Sequence, residues 1–463
     1  MATILKRKKK YSVVYYYEDE KGEKKQKRET YNTHAEAKKR KIEVESEQNN
    51  GTFIPPKDVT VRDFLYDFVK IYGTTHWALS TYESNCSLIA NYINPIIGDV
   101  PIQSINPKVV DEYYQTLKNT KSVVKRNRTP RSEYVTPGVI NSVHKLMRCA
   151  FDQAVKWELI SRNPFPLANR PKTTYKKRDI WDAEMIRKAL DGCKDPKLYI
   201  AINLAFACSL RLGEIIGLQW DNVHISDADI AADDAHVMVV QELARVSKDA
   251  RQFLDEKDII QVFPSMMNGT STNLVLKKPK TESSIRKVWL PKTLAYILRK
   301  WKEEQDEVKS FFGDEYYDYD LVVALPNGRP SESRVIEKEF NKLKEKLELP
   351  NVVFHSLRHS STTYKLKLNK GDIKATQGDT GHAQIDMITD VYAHILDEDR
   401  KINAQKFEEA FYSRCDLRSV RPPEYENNNP DLTNVVQALQ NSPELTAMLS
   451  NLIAQASTNF NKD

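Results

Sequence analysis

The period of the hydrophobic pattern changes twice along this chain, and no single layer of secondary structure accommodates all three patterns. From Thr3 to Tyr31 apolar and charged residues alternate in ILKR, KYSVVYYYED and KKQKRETY, the period of half-buried strands. From residue 58 to 166 the period becomes helical, in VTVRDFLYDFVKIYG, STYESNCSLIANYINPIIG, KVVDEYYQTLKN and TPGVINSVHKLMRCAFDQAVKWELI. From about residue 179 to 412 helical and strand patterns are mixed. At 463 residues the chain exceeds what one core ordinarily organises, so two to four domains are expected. The expected fold class is multidomain α+β. Residues 1–54 form a small three-stranded sheet plus helix, 58–168 a helical bundle, 179–412 a mixed α/β domain, and 413–463 a C-terminal tail.

Local signals sharpen the first part. Lys21-Gly22 marks a turn, Thr33 and Glu36 have the spacing of a capping box at a helix start, and Gly51 is placed to stop that helix. The formal net charge is +6, yet residues 1–50 hold 14 Lys and Arg against 9 Asp and Glu, so the excess is concentrated there. Lys8, Lys9, Lys10, Lys25, Lys27 and Arg28 alternate with Tyr and Val, giving an expected basic face opposite a packed one, suited to a DNA groove. Without the rest of the chain, a solvated lysine-rich sheet is the better reading.

Between the third and fourth helical segments, residues 118–131 contain Lys121, Lys125, Arg126 and Arg128 and no acids, either a phosphate-tracking loop or a solvated one. The polar linker ANRPKTTYKKRD leads into the mixed region. Near the C-terminus Leu432, Val435, Val436 and Leu439, then Leu445, Met448, Leu449, Leu452 and Ile453, fall at helical spacing on either side of Pro443 and need a surface to bind. The 5 cysteines are scattered without metal-ligand spacing, so neither disulfides nor a metal site is expected. The N-terminal sequence has no signal-peptide core and no membrane span, which points to the cytoplasm.

Chemistry is concentrated in the mixed region as an ordered series: Arg211 in SLRLGE, Lys280 in KKPKTESSIRKVWLP, His355 and Arg358 in HSLRH, His382 in TGHAQ, and Tyr392 in DVYAHI. Taken alone, Arg211 is better read as an ion pair with Glu214 than as a phosphate ligand. Lys280 lies between two β segments, TNLVL and IRKVWLP, the expected tip of a hairpin. His355 and Arg358 share one helical face at i and i+3. Gly381 lets His382 approach a reaction centre, although a cap would use it equally well. Tyr392 lines up with Ile385, Ile388 and Ile395, so with 22 tyrosines in the chain a packed core aromatic is the default.

Together, however, these motifs resemble those of the tyrosine recombinases, the phage-type integrase family, and the three-domain order is similar to that of integrases of conjugative transposons and temperate phages. The resemblance covers residues 3–412. It implies an arm-type DNA-binding sheet, a SAM-like core-binding bundle, seen in INPIIGDVPIQSINP and AFDQAVKWELISRNPF, and an α/β catalytic domain. It implies that Tyr392 attacks a phosphodiester to leave a 3′-phosphotyrosine, that Arg211 and Arg358 grip the phosphate, and that Glu214 braces Arg211. His355 and His382 assist, and Lys280, singled out by the pattern K-T-x-x-S-x-R, protonates the leaving 5′ oxygen. The implied activity is integration and excision of a conjugative transposon or prophage, without cofactor or metal. The implied partners are double-stranded DNA attachment sites of arm and core types, a homotetramer on DNA, and an accessory excision factor. Between Val223 and Thr272 the chain is longer than the family's hairpin needs, including ARVSKDARQFLDEKD, whose role the sequence leaves open. Two competing functions are a catalytically silent DNA-binding regulator and a type IB topoisomerase-like nicking and closing enzyme. The first would call for a replaced Arg211, Arg358 or Tyr392, and all three are present.

Overall fold

The computed structural model describes residues 2–7, 9–18, 22–123, 132–172, 179–279, 281 and 284–368, and beyond them Ala447 alone. The chain divides into units 1–393 and 394–463, and the architecture below belongs to the first.

The opening alternation forms an antiparallel sheet of β1 (Thr3–Arg7), β2 (Lys10–Glu18) and β3 (Lys24–Tyr31), with β2 central. Helix α1 (His34–Asn49) starts at the expected capping box: Thr33 accepts from the Glu36 amide, and Glu36 accepts from the Thr33 amide. It ends at Asn50, followed by Gly51 at φ +68°, a left-handed position that glycine occupies without penalty. Val13, Tyr15, Ala37 and Val44 form the small core between sheet and helix. Glu29 ties the layers together, accepting from Tyr15 Oη at 2.6 Å, Tyr31 Oη at 2.7 Å and Arg40 Nε at 2.9 Å.

The helical region contains α2 (Val61–Asp67), which runs on into a wider helical stretch at Phe68–Gly73, then α3 (Leu79–Leu88), α4 (Pro107–Lys118) and α5 (Pro137–Lys156). Proline at the first position of α4 and of α5 fits helix starts, where its missing N–H leaves no bond unmade. Phe64, Phe68, Tyr114, Phe151 and Phe165 fill their common core. There Tyr114 Oη meets His144 Nδ1 at 2.6 Å, and burial lowers the His144 pKa.

The mixed region contains α6 (Ala183–Gly192), α7 (Pro196–Ala207), α8 (Leu212–Ile216), α9 (Lys248–Phe253), α10 (Lys292–Phe312), α11 (Ser333–Lys346) and α12 (His355–Leu368). Its strands are β4 (Val223–His224), β5 (His236–Val239), β6 (Glu242–Ser247), β7 (Ile259–Val262), β8 (Thr272–Lys277) and β9 (Arg286–Trp289). They make two three-stranded sheets, ordered β4-β5-β9 and β6-β8-β7. This overturns the expected hairpin: TNLVL lies in β8 and RKVW in β9, and these strands never pair. β8 has β6 on one side and β7 on the other, so its edges are already taken, and β9 pairs with β5 instead.

The extra chain between Val223 and Thr272 therefore has a structural role. It supplies β5, β6, β7 and α9, and α9 lies against α3 of the bundle, where Leu79 joins Val246, Ala250, Leu254 and Val275 in a separate apolar cluster. Tyr82 stacks on Phe253 with ring centroids 4.6 Å apart, and Lys257 Nζ donates to the Thr75 carbonyl at 3.1 Å. Among the described residues, no helix is long and apolar enough to cross a membrane.

Candidate active site

Arg211 and Arg358 reach one cluster because α7, α8 and α12 pack together. Between α7 and α8 the chain turns through Ser209, a fully buried residue at φ +53°, outside the usual range for a residue with a side chain. That turn points the Ser209 carbonyl at Arg358 Nη1, which donates to it, while Ser209 Oγ lies 2.5 Å from Ser361 Oγ on α12. Trp181 secures α12 from the far side. Its amide donates to Ser360 Oγ at 3.1 Å, and next to it the Ala183 amide donates to Tyr364 Oη at 2.8 Å. Helix α8 lies close on β6: a Cβ on Gly217 would come within 2.5 Å of the Leu243 nitrogen, so only glycine fits at that contact.

Glu214, 3% exposed, is the hub. Its Oε1 accepts from Arg211 Nη1 at 2.7 Å and from Arg286 Nη1 at 3.2 Å. Its Oε2 accepts from the Arg211 amide at 2.9 Å and Arg286 Nη2 at 3.0 Å. Burial alone would raise the carboxyl pKa, but the hydrogen bonds and charge of Arg286, and then those of Arg211, hold it below the usual value. The carboxylate is therefore ionised. Arg211 is the ion-pair partner that its sequence context favours, and a third of its side chain is exposed.

Arg358 is 1% exposed. Burial pushes its pKa down to about 9, Arg211 and Arg286 push the same way, and Glu214 opposes them. Arg211 and Arg286 thus bond the Glu214 carboxylate directly, and Arg358 lies within electrostatic reach of all three. His355 is the first residue of α12, with His359 one turn on and the rings edge to face at 4.8 Å. Guanidiniums gathered in this way suit a polyanion's phosphate, whose oxygens they can bond in pairs.

Sequence reading missed Arg286, although it is the final arginine of the K-T-x-x-S-x-R pattern; nothing short of the Glu214 geometry separates it from its neighbours. Lys280, His382 and Tyr392 lie outside the described residues, as do Lys8, Lys125, Arg126, Arg128 and the proposed tail helices. Lys121 stands at the neck of its loop in a bridge with Tyr134. The expected single basic face of the N-terminal sheet is corrected by register. Lys10 and Arg28 share the outer face with Ser12, Val14 and Tyr16, whereas Lys25 and Lys27 pair with Tyr17 and Tyr15 and so take the parity of the face covered by α1. Alternation was real, but the tyrosines, not the lysines, set its phase. Lys9 is exposed in the turn between β1 and β2.

Residues 181–399 match the Phage integrase family, and residues 60–118 match its N-terminal SAM-like domain. The chain belongs to the phage integrase family of tyrosine recombinases. As a member it is a tyrosine-type site-specific recombinase. Among its relatives is the ICEBs1 integrase of Bacillus subtilis (strain 168), 25% identical over 331 residues that cover 71% of this chain and 77% of that one. Another is a tyrosine recombinase XerC-like protein of Caldanaerobacter subterraneus subsp. tengcongensis, 23% identical over 382 residues, covering 80% and 88%. The fold resembles that of the Tn1549 transposon integrase solved in complex with transposon right end DNA. That comparison has a TM-score of 0.55 and 18% identity, and covers 75% of this chain and 99% of the other.

Proposed function

We propose that this recombinase is the integrase of a mobile element, a conjugative transposon or a prophage, and that it cuts and rejoins double-stranded DNA at the element's ends. Tyr392 attacks the scissile phosphorus and its oxygen forms the new bond, while the bond to the 5′ oxygen breaks and Lys280 gives that oxygen a proton. A free phenol has a pKa of about 10, so a base must take its proton at neutral pH, and His355 at the start of α12 is the candidate. His382 completes the set. Arg211 and Arg358 hold the non-bridging oxygens; the loss of one such donor costs roughly 2.7–4 kcal/mol of barrier. The free 5′ hydroxyl then attacks a partner's phosphotyrosine, so the bond energy is carried through without a nucleotide cofactor.

The observation that carries this reading is the gathering of Arg211, Arg286 and Arg358 at Glu214. A phosphodiester has one negative charge and the phosphorane formed by phenolate attack has two, so arginines held in place there favour the transition state over the ground state, which is the condition for catalysis. Relatives named for integrative elements favour a mobile-element role over chromosome maintenance. Residues 1–54 would hold arm-type sites, 58–168 and 179–412 the core site, and residues after 413 would join protomers into a tetramer on DNA. An excision factor is a further expected partner. The test is recombination between two plasmid copies of the element's ends. The intact protein converts them to joined products in a cell-free reaction and Arg211→Gln does not; product formation by Arg211→Gln at the intact rate would refute the assignment.

A further inference from the structure

The third arginine of the cluster has no ligand-binding role left to play. Arg286 is buried, and both of its terminal nitrogens donate to Glu214. Nη1 donates in addition to the Ser284 carbonyl at 3.0 Å, whereas Nε is buried without a hydrogen-bond partner. A guanidinium that gives up one donor in order to make these contacts is held for its geometry. Ser284 ends a short turn that begins at Thr281: its amide donates to the Thr281 carbonyl at 3.0 Å and the two hydroxyl oxygens lie 2.9 Å apart. Thr281 directly follows Lys280 in the chain.

We propose that Arg286 is a positioning residue that couples the Thr281–Ser284 turn, which follows Lys280 in the chain, to Arg211 through Glu214. The inference rests on the reading of Lys280 as the general acid. Two consequences follow from the bonds. Arg286 shares the Glu214 carboxylate with Arg211, so a change at position 286 alters how that carboxylate braces Arg211. Arg286 also fixes the Ser284 carbonyl at the end of the turn from Thr281, and Thr281 is joined directly to Lys280 in the chain. The Thr281–Ser284 turn, Arg286, Glu214 and Arg211 make one continuous chain of polar contacts.

The test separates proton donation from phosphate binding. A nicked duplex carrying the element's end sequence is made with either oxygen or sulfur as the 5′ bridging atom at the cut. Oxygen leaves with a proton from the acid, whereas sulfur leaves as a thiolate and needs none. Arg286→Lys, which retains a cation to pair Glu214, is compared with the intact protein and with Arg211→Gln at a temperature where thermal unfolding shows all three folded. Arg286→Lys should slow covalent trapping on the oxygen substrate by on the order of 100-fold, the effect of about 1 Å of misplacement, and should regain most of that loss on sulfur. Arg211→Gln should be equally impaired on both. Equal impairment of Arg286→Lys on both substrates, or an unchanged rate on oxygen, would overturn the inference. Absence of a covalent product from the intact protein on either substrate would instead refute the recombinase chemistry on which it rests.

Discussion

Replacing Glu214 by Gln keeps the side chain's size and removes the one negative charge that Arg211 and Arg286 share. Removing one partner of a buried ion pair costs about 3–5 kcal/mol, because the other charge stays buried. The Arg286 side chain is 6% exposed and takes nearly the whole effect; Arg211, a third exposed, is screened by solvent and adds little. Since the amide can still accept one hydrogen bond, the expected loss is about 3 kcal/mol. For a domain of this size that is roughly 6–12 °C in melting temperature. The pH dependence follows from the sign of the shift. The folded carboxyl titrates below its unfolded value, so its contribution is fully present above the ordinary carboxylate range and is lost as pH falls through the folded pKa. Urea unfolding at a series of pH values, with hydrogen exchange of peptides from residues 196–216 to report on this region of a multidomain chain, measures the gap. The gap should be widest at neutral pH and close on acidification. Equal stability at neutral pH, or a gap constant into strong acid, would refute the assignment of Glu214 as the ionised hub.

Two other predictions concern surfaces and interdomain contacts. Phe253→Ala removes the stack on Tyr82, worth about 0.5–1.5 kcal/mol beyond area burial; hydrogen exchange should quicken together in residues 79–88 and 248–253, and a change confined to one segment would contradict the joint packing. Lys10→Ala with Arg28→Ala on the outer face should weaken binding of arm-site duplex and reduce the slope of log K against log salt by about 2. Lys25→Ala with Lys27→Ala on the α1 face should change that slope less, as titrations at several salt concentrations would show.

Much of this fold could be read from the sequence wherever a local rule decided the outcome. The Thr33/Glu36 box starts α1 because short polar side chains satisfy open amides there, with no help from the rest of the fold. HSLRH opens α12 as its spacing suggests, and Arg211 makes the ion pair with Glu214 that its context favours. What escaped was non-local. The pairing of β8 depends on strands supplied by chain about 15 to 30 residues earlier, and a run of alternating residues does not name its partner. Lys25 and Lys27 fell on the wrong face because alternation fixes two faces but not which of them the helix covers. Arg286 lies in a stretch that also holds Lys277, Lys278 and Lys287, and only its distance to Glu214 sets it apart. The packing of α9 on α3 joins segments more than 160 residues apart, beyond the reach of any periodicity.

The central claim, covalent catalysis by a tyrosine held against an arginine-lined phosphate site, is tested most directly by trapping on a nicked suicide duplex bearing the element's end, resolved on a denaturing gel. The account predicts a protein–DNA band with the intact chain that is abolished in Tyr392→Phe, which should still bind the duplex. A band that persists in Tyr392→Phe, or DNA binding by the intact chain without any covalent product under assembly conditions, would contradict it.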